Sequence, residues 1–577
     1  MRLPGLLRPP RPAAPLLLSG VLLGLAFPPF HLLGPSFLAL VPWAAWTARL
    51  PEGPGGRSAA LRGGFLMGLI YFSLVLYWLV VALIFYTPLA VLAFLLPVLI
   101  LSGFLALATL GVHQAVRRLG LPIWLAAPIF WTAAEWLRGH LGDVSFPWMR
   151  LGESLTGFPR LIGAADVVGA RGLSLWLALV AGLLAEALLR ARPAWAERWL
   201  PGPFDVAARR RDGGAEAAPP GASGTRITPV AVGLLVALLV PTSYSAWRWQ
   251  SLESRPAARV GVVQPNIPED LKLDRRAGID SAMSSVRSLV GTRLLPLAEP
   301  LDVALLPETT FPTWIPLDPP LPRRWRGGPE VRGFVEATAR RLDAPVLYGA
   351  IGVEEGPDGD VRYYNSAFLR DPAGRRLGAY HKRELVPVVE RVPFVNPAWF
   401  QGAISDALGG WFGGYAIGPE PELMRAGDAR FGVLVCYESI FAGLARDYRT
   451  AGADFLVNIT NDAWYGREEP FWSRTSALWQ HPAHMVMRAV ENRVGVARPA
   501  NTGISMTIDP RGRVHHRTEL FRPAAFAATV RTTPGTTFYA RHGDLAGWAS
   551  ALAALGVALA CGLSGRTGGR EVERTEP

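Results

Sequence analysis

Three side chains have the types and settings for covalent acyl chemistry: a thiol, a carboxylate and an ammonium. Cys436 closes the strand-like run RFGVLVCYESIF, and a helical pattern, SIFAGLARDYR, follows it. A nucleophile at a strand end that faces a helix N-terminus gains from the helix dipole and from free backbone N–H groups. The same N–H groups can form an oxyanion hole. Glu308 ends the run LDVALLPETTFP, where a carboxylate just past a strand can act as general base to a thiol. Lys382 lies in YHKRELVPVVERVPF, from which its charge can lower a thiol pKa and stabilise an oxyanion. Glu390, in the same segment, can pair with it. Taken singly, each has an ordinary reading. A lone Cys is usually a buried core residue, a loop Glu is usually solvated, and a surface Lys makes ion pairs of little worth.

The segments around these residues share one texture. Over residues 256–535, short β-branched runs (ARVGVVQ, APVLYGAI, NSAFLRD, DFLVNIT) alternate with amphipathic stretches such as VRGFVEATARRLD. That alternation predicts an α/β layered domain.

The rest of the chain reads differently. Of 577 residues, half are hydrophobic and 18% are charged, below the roughly 25% usual in soluble domains. Apolar runs near 13–29, 35–49, 64–84, 88–112, 122–138, 172–190, 228–247 and 543–563 approach the ~20 residues a spanning helix needs. The first, preceded by Arg2, Arg8 and Arg11, resembles a signal peptide without a convincing cleavage site and reads as a retained anchor. Arg clusters mark alternate loops, above all 190–226, which predicts eight spans with both ends in the cytoplasm. The segment between the last two spans then lies outside it. This placement absorbs much of the +12 net charge and leaves no call for nucleic acid. Residues 200–227 read as a flexible loop. The two cysteines, Cys436 and Cys561, make neither a disulfide framework nor a zinc site, and no metal or cofactor is expected.

Together, PETTFP with Glu308, YHKRELVPVVERVPF with Lys382 and VCYES with Cys436 resemble the three catalytic segments of the nitrilase superfamily, and NITNDAWYG (458–466) resembles the segment after its Cys. The resemblance implies an αββα sandwich in which a Glu base, a Lys and a Cys act through a thioester. With the spans, the whole chain resembles the bacterial apolipoprotein N-acyltransferase family. That implies a helical membrane domain (1–250), a periplasmic catalytic domain (256–535), a last spanning helix (540–565) and a cytoplasmic tail (566–577), in the inner membrane. VGVVQPNIPEDLKLD is similar to the start of that family's catalytic domain. Glu390 stands where the family has a second required Glu, and Tyr437 and Glu438 complete its Cys-Tyr-Glu run. Trp148 (in SFPWMRLGES) and Trp249 match its tryptophan positions, and with Trp464 and Tyr465 are candidate lipid contacts. The implied donor is a phospholipid, phosphatidylethanolamine, and the implied acceptor is the α-amine of a diacylated apolipoprotein. Trp399, Phe400, Trp411, Phe412 and Tyr415, beside glycines, suit a mobile lid. The rival expectations are a membrane-tethered amidase that uses water as acceptor, and a non-enzymatic scaffold.

Overall fold

Apolar runs in the first half fold as helices, since in lipid a helix satisfies every backbone polar group internally. The computed structural model describes residues 12–85, 90–191, 199–201, 229–297, 299–317, 328–355, 361–394 and 414–572. Five described helices are long and apolar enough to cross a membrane: Pro54–Leu76, Ala90–Arg118, Ala165–Ala191, Pro229–Ser251 and Leu545–Leu563. Other expected spans are shorter or broken. Ala14–Ala26 has 13 residues and Ile123–Arg138 has 16. The run 35–49 is two helices, Leu33–Leu38 and Leu40–Ala48, and the run 64–84 breaks at Tyr77 before the helix Trp78–Ile84. Glycine permits one close helix contact. A Cβ on Gly64 would lie 2.4 Å from the Leu105 carbonyl oxygen, so only a residue without one lets Pro54–Leu76 meet Ala90–Arg118. Leu235, Val236, Leu239 and Val240 stay exposed on Pro229–Ser251, as suits a lipid-facing helix.

Residues 255–532 form two sheets. In one, the order is Ala524–Thr532, Arg255–Gln264, Val303–Leu305, Val346–Glu355, Val361–Arg370 and Arg376–His381, with Trp314–Pro316 also on Val346–Glu355. In the other it is Val514–His515, Met506–Ile508, Gly495–Arg498, Phe455–Ile459, Ala429–Val435 and Met424–Ala426. Strand side chains alternate between faces, and both faces of the first sheet are covered. Val303, Leu305, Leu347 and Leu369 pack with Phe431, Val433 and Val457 of the second sheet. Their neighbours Ala304, Leu306, Val346 and Phe368 pack with Val286 and Val335 of the helices Arg275–Leu289 and Gly328–Leu342. These are the layers of the expected αββα sandwich.

Buried charges join domain and bundle. Glu153, in the turn Leu151–Leu155, pairs with Arg150 and with His484 (3.2 Å) and Arg488 (3.6 Å) of the domain helix Ala477–Asn492. Arg493 holds Asp166 at 2.9 Å.

Candidate active site

Glu308, Lys382 and Cys436 each stand just past a strand end. Leu306 N–H donates to the Leu347 carbonyl (2.8 Å), which carries strand pairing on toward Glu308. Gly349 lets the chain pass there, because a Cβ would lie 2.7 Å from the Glu308 Cα. The register Ser366↔His381 continues into a Lys382 N–H bond to the Asn365 carbonyl (2.9 Å), so Asn365 and Lys382 are neighbours. In the second sheet, Val435 pairs with Ile459, so the chain delivers Cys436 beside the segment that holds Asn461 and Asp462.

The polar contacts then close. Lys382, only 1% exposed, donates to Glu390 at 2.9 Å and lies 3.8 Å from Glu308. Asn365 Nδ2 bridges Glu308 Oε1 (2.7 Å) and Glu390 Oε1 (2.9 Å). The other Glu308 oxygen accepts from Asn461 N–H at 2.8 Å, and the other Glu390 oxygen from Val386 N–H at 2.8 Å. Burial works against the Lys382 charge, but Glu390 and then Glu308 outweigh it and raise its pKa.

Cys436 is 6% exposed and has φ +50, a strained value for a residue with a Cβ. Burial pushes its thiol pKa up, Glu308 pushes it further, and Lys382 opposes both. The resting group is therefore a thiol, and forming the thiolate needs a base as well as an ammonium. The expected helix is corrected here. After Cys436 comes a 3₁₀ turn, Cys436–Ile440, and the α-helix starts only at Ala442. The cause is Glu438, whose carboxylate reaches back to Val435 N–H (2.7 Å) and tightens the turn. The other oxygen of Glu438 accepts from Tyr380 Oη (2.6 Å), Arg383 N–H (2.8 Å) and Glu384 N–H (3.2 Å). Glu438 thus ties the lysine segment to the cysteine turn, and burial raises its pKa to about 7.

The aromatic candidates separate. Tyr465 is at the thiol, with Oη 3.9 Å from Cys436 Sγ. Trp148 is buried between domain and bundle; its Nε1 donates to Gln480 (2.8 Å), and its ring lies 4.9 Å from Trp78 and 6.0 Å from His481. In this conformation Trp148 is packing, not a lipid-exposed ring. Trp464 is half-buried. Trp249 lies apart from the thiol, between Arg160 (5.3 Å) and Arg513 (6.0 Å). Tyr437 donates to the Ser145 carbonyl (3.1 Å), joining the cysteine turn to the loop after Ile123–Arg138. Tyr415 donates its N–H to the Glu390 carbonyl (3.2 Å). Trp399, Phe400, Trp411 and Phe412 lie outside the described residues.

Two family models match the chain: the apolipoprotein N-acyltransferase N-terminal domain over residues 19–183, and carbon-nitrogen hydrolase over residues 259–527. An apolipoprotein N-acyltransferase of Geobacter metallireducens is 32% identical over 546 residues, covering 94% of this chain and 93% of that protein. The chain belongs to the apolipoprotein N-acyltransferase family. A relative of the same name in Chlorobaculum tepidum is 29% identical and covers 92% of each chain. Among solved structures, an amidase from Nesterenkonia sp. AN1 is 17% identical, covers 50% of this chain and 96% of that one, and has a TM-score of 0.31. The protein is thus an acyltransferase with a nitrilase-type domain on a bacterial membrane bundle.

Residue types and spacing had not pointed to the rear of this acyltransferase's site. Asp462 accepts from Arg498 (2.9 Å) and Thr460 (2.8 Å) and lies 2.9 Å from His481 Nδ1, and all four are buried. His481 Nε2 meets the Cys436 carbonyl at 3.0 Å. A carbonyl only accepts, so that nitrogen donates and offers no lone pair to the thiol. Asp462 stood within NITNDAWYG, and its place after a strand was the available signal.

Proposed function

We propose that the chain transfers an acyl group from a phospholipid to the N-terminal amine of a diacylated apolipoprotein, through a thioester on Cys436. The carrying observation is that Glu308 and Lys382, 3.8 Å apart, are the first two charges acting on the buried Cys436 thiol, in a domain packed onto a membrane bundle. Glu308 takes the thiol proton and the sulfur attacks the ester carbonyl of the donor, with phosphatidylethanolamine the donor of choice. Lys382 faces the oxyanion that forms. The tetrahedral adduct collapses, the C–O bond breaks, and Glu308 returns the proton to the leaving lysophospholipid. The α-amine of the acceptor's diacylglyceryl-cysteine then attacks the thioester. Glu308 takes the proton from nitrogen, the C–S bond breaks, and the thiol is restored. Glu390 holds Lys382, Asn365 ties Glu390 to Glu308, and Glu438 and Tyr437 fix the turn.

Both substrates carry chains that water rejects at about 0.8 kcal/mol per CH₂, so the thiol has to work at the bilayer surface. On this reading the bundle (1–250) and the last helix (540–565) sit in the inner membrane. Residues 256–535 face the periplasm, and the tail 566–577 the cytoplasm. The test is to mix the purified protein with phosphatidylethanolamine and a diacylated lipopeptide. An acyl thioester on Cys436 by mass spectrometry, then lysophospholipid and N-acylated peptide in equal amounts, is expected. Ammonia or free acid in their place refutes the reading and favours an amidase.

A further inference from the structure

The thiol's base is one of three neighbouring carboxylates, and two lysines stand by them among the described residues. Glu308 and Glu390 share Lys382. The third carboxylate is Glu269, in the short helix Glu269–Leu273, within the PNIPEDLKLD stretch. One asparagine holds Glu269 and Glu308 together. Asn461 donates its backbone N–H to Glu308 Oε2 and its Nδ2 to Glu269 Oε2, each at 2.8 Å. Asn501 fixes that amide by donating to Asn461 Oδ1 (2.8 Å) and to the Ile267 carbonyl (2.7 Å). Two carboxylates held by one residue repel each other, because like charges in a confined site disfavour double ionisation. A base that already holds a proton cannot take one from a thiol.

The second ammonium is Lys272, in the same short helix. Its side chain is buried (6% exposed) and its Nζ finds no hydrogen-bond partner among the described residues. A buried ammonium with no fixed partner is costly unless nearby charge favours it. Burial lowers the Lys272 pKa, and Glu269 and then Glu308 oppose that fall. Burial likewise raises the Glu269 pKa, and Glu308 adds to the rise.

We infer that Lys272 is a positioning residue whose ammonium keeps the Glu269–Glu308 pair ionised, and so keeps Glu308 free to act as base. The inference rests on the role given to Glu308 above. The charged and titratable groups around Glu308 are Lys382, Lys272, Glu269, Glu390, Cys436, Tyr415 and Tyr465, and Glu269 also feels Asp270, which is paired with Arg467. Of the groups around Glu308, Lys272 and Glu269 alone lie on the short helix and can be exchanged without touching the set around Lys382.

The experiment follows acylation of Cys436 in the full-length protein, in detergent with phosphatidylethanolamine, as a single-turnover rate against pH. K272M moves the acid limb of that profile upward by about one pH unit or more, the shift expected on removing a nearby opposite charge. K272R keeps the limb in place. E269Q alone moves it downward, and E269Q in the K272M background brings it back toward the wild type. An unmoved limb in K272M overturns the inference, whether the loss is uniform or falls only on KM for the donor, as a phosphate-binding lysine would give. If K272M fails to fold, K272Q, which keeps a polar head group in place of the ammonium, decides by the same upward shift, and an unmoved limb there overturns the inference. E308Q separates the two claims. A limb that survives in E308Q removes Glu308 as base. A limb lost in E308Q but unmoved by K272M and E269Q removes only the role of Lys272.

Discussion

The front and rear of the Cys436 thiol use the same kinds of charged group, wired differently. At the rear, both oxygens of Asp462 contact one Arg498 nitrogen (2.9 and 3.1 Å), with His481 and Thr460 beside them. Burial would raise the Asp462 pKa, but Arg498 and then His481 reverse this and hold it well below the usual carboxylate range. Such a carboxylate is locked as an anion and exchanges no proton. At the front, Glu308 is held by a neutral amide and a backbone N–H, and its ammonium stands back at 3.8 Å. Neutral donors fix a carboxylate in place without forbidding it a proton. On the proposed reading the same side-chain chemistry is a clamp on one side and a base on the other, and the distance to the cation sets which.

The largest effect belongs to the atom between them. C436A abolishes acyl-enzyme formation and lowers transfer by about 10⁴-fold or more, the order seen when a covalent nucleophile is removed. Lysophospholipid release measures it. Next, the two sides are set against each other. E308Q lowers acylation by about 10²–10⁴-fold, the range for general base catalysis, and moves Tm little, since Gln still accepts from Asn461. D462N leaves Arg498 buried without its counter-ion and destabilises by about 3–5 kcal/mol, read as a large fall in Tm in detergent. If D462N melts like the wild type, or E308Q unfolds, the contrast between clamp and base is wrong.

K382M tests the front alone. Its ammonium opposes the burial and the Glu308 charge that raise the Cys436 pKa. Without it the thiol pKa rises further, so alkylation of Cys436 by iodoacetamide slows at any fixed pH below it. Acyl transfer falls by about 10²–10³-fold as an oxyanion partner is lost. Alkylation at the wild-type rate would place the ammonium away from the sulfur.

The front of the site was legible in the sequence because each member ends its own strand inside a contiguous motif: PETTFP, YHKRELVPVVERVPF, VCYES. A strand end fixes direction, so the run before each residue told where it would stand. Asn365, Arg498 and His481 are invisible by the same logic. Asn365 and His481 sit within a strand and a helix, and Arg498 ends a strand that carries no motif, so only sheet register and the packing of Ala477–Asn492 bring them to the site. The layers were legible from alternating β-branched and amphipathic runs. The breaks at Ala39 and Tyr77 were not, because hydropathy is averaged over a run and ignores where the helix stops. The helix after Cys436 was placed too early for a related reason. Its periodicity was real, but a carboxylate one turn in bonded backward and consumed the first turn as 3₁₀.

That carboxylate gives the smallest and sharpest test. Glu438 is buried, and burial lifts its pKa from 4.5 to about 7 against the pull of Tyr380, Val435 and Arg383. A raised folded pKa means the native state binds the proton more readily than the unfolded chain. Its contribution to stability is full below the unfolded value and is lost as pH rises through the folded one, so the window runs from 4.5 to about 7. E438Q cannot titrate and lacks that dependence. The difference in Tm between wild type and E438Q should therefore change across this window and level off on either side, with the wild type losing ground as pH rises. Gln also presents an N–H₂ group to Val435 N–H, which loosens the turn, so acylation falls at every pH while the window in Tm marks the titration itself. A Tm difference that stays flat from acid to neutral pH would mean that Glu438 is already ionised throughout, and that the four donors around it outweigh its burial.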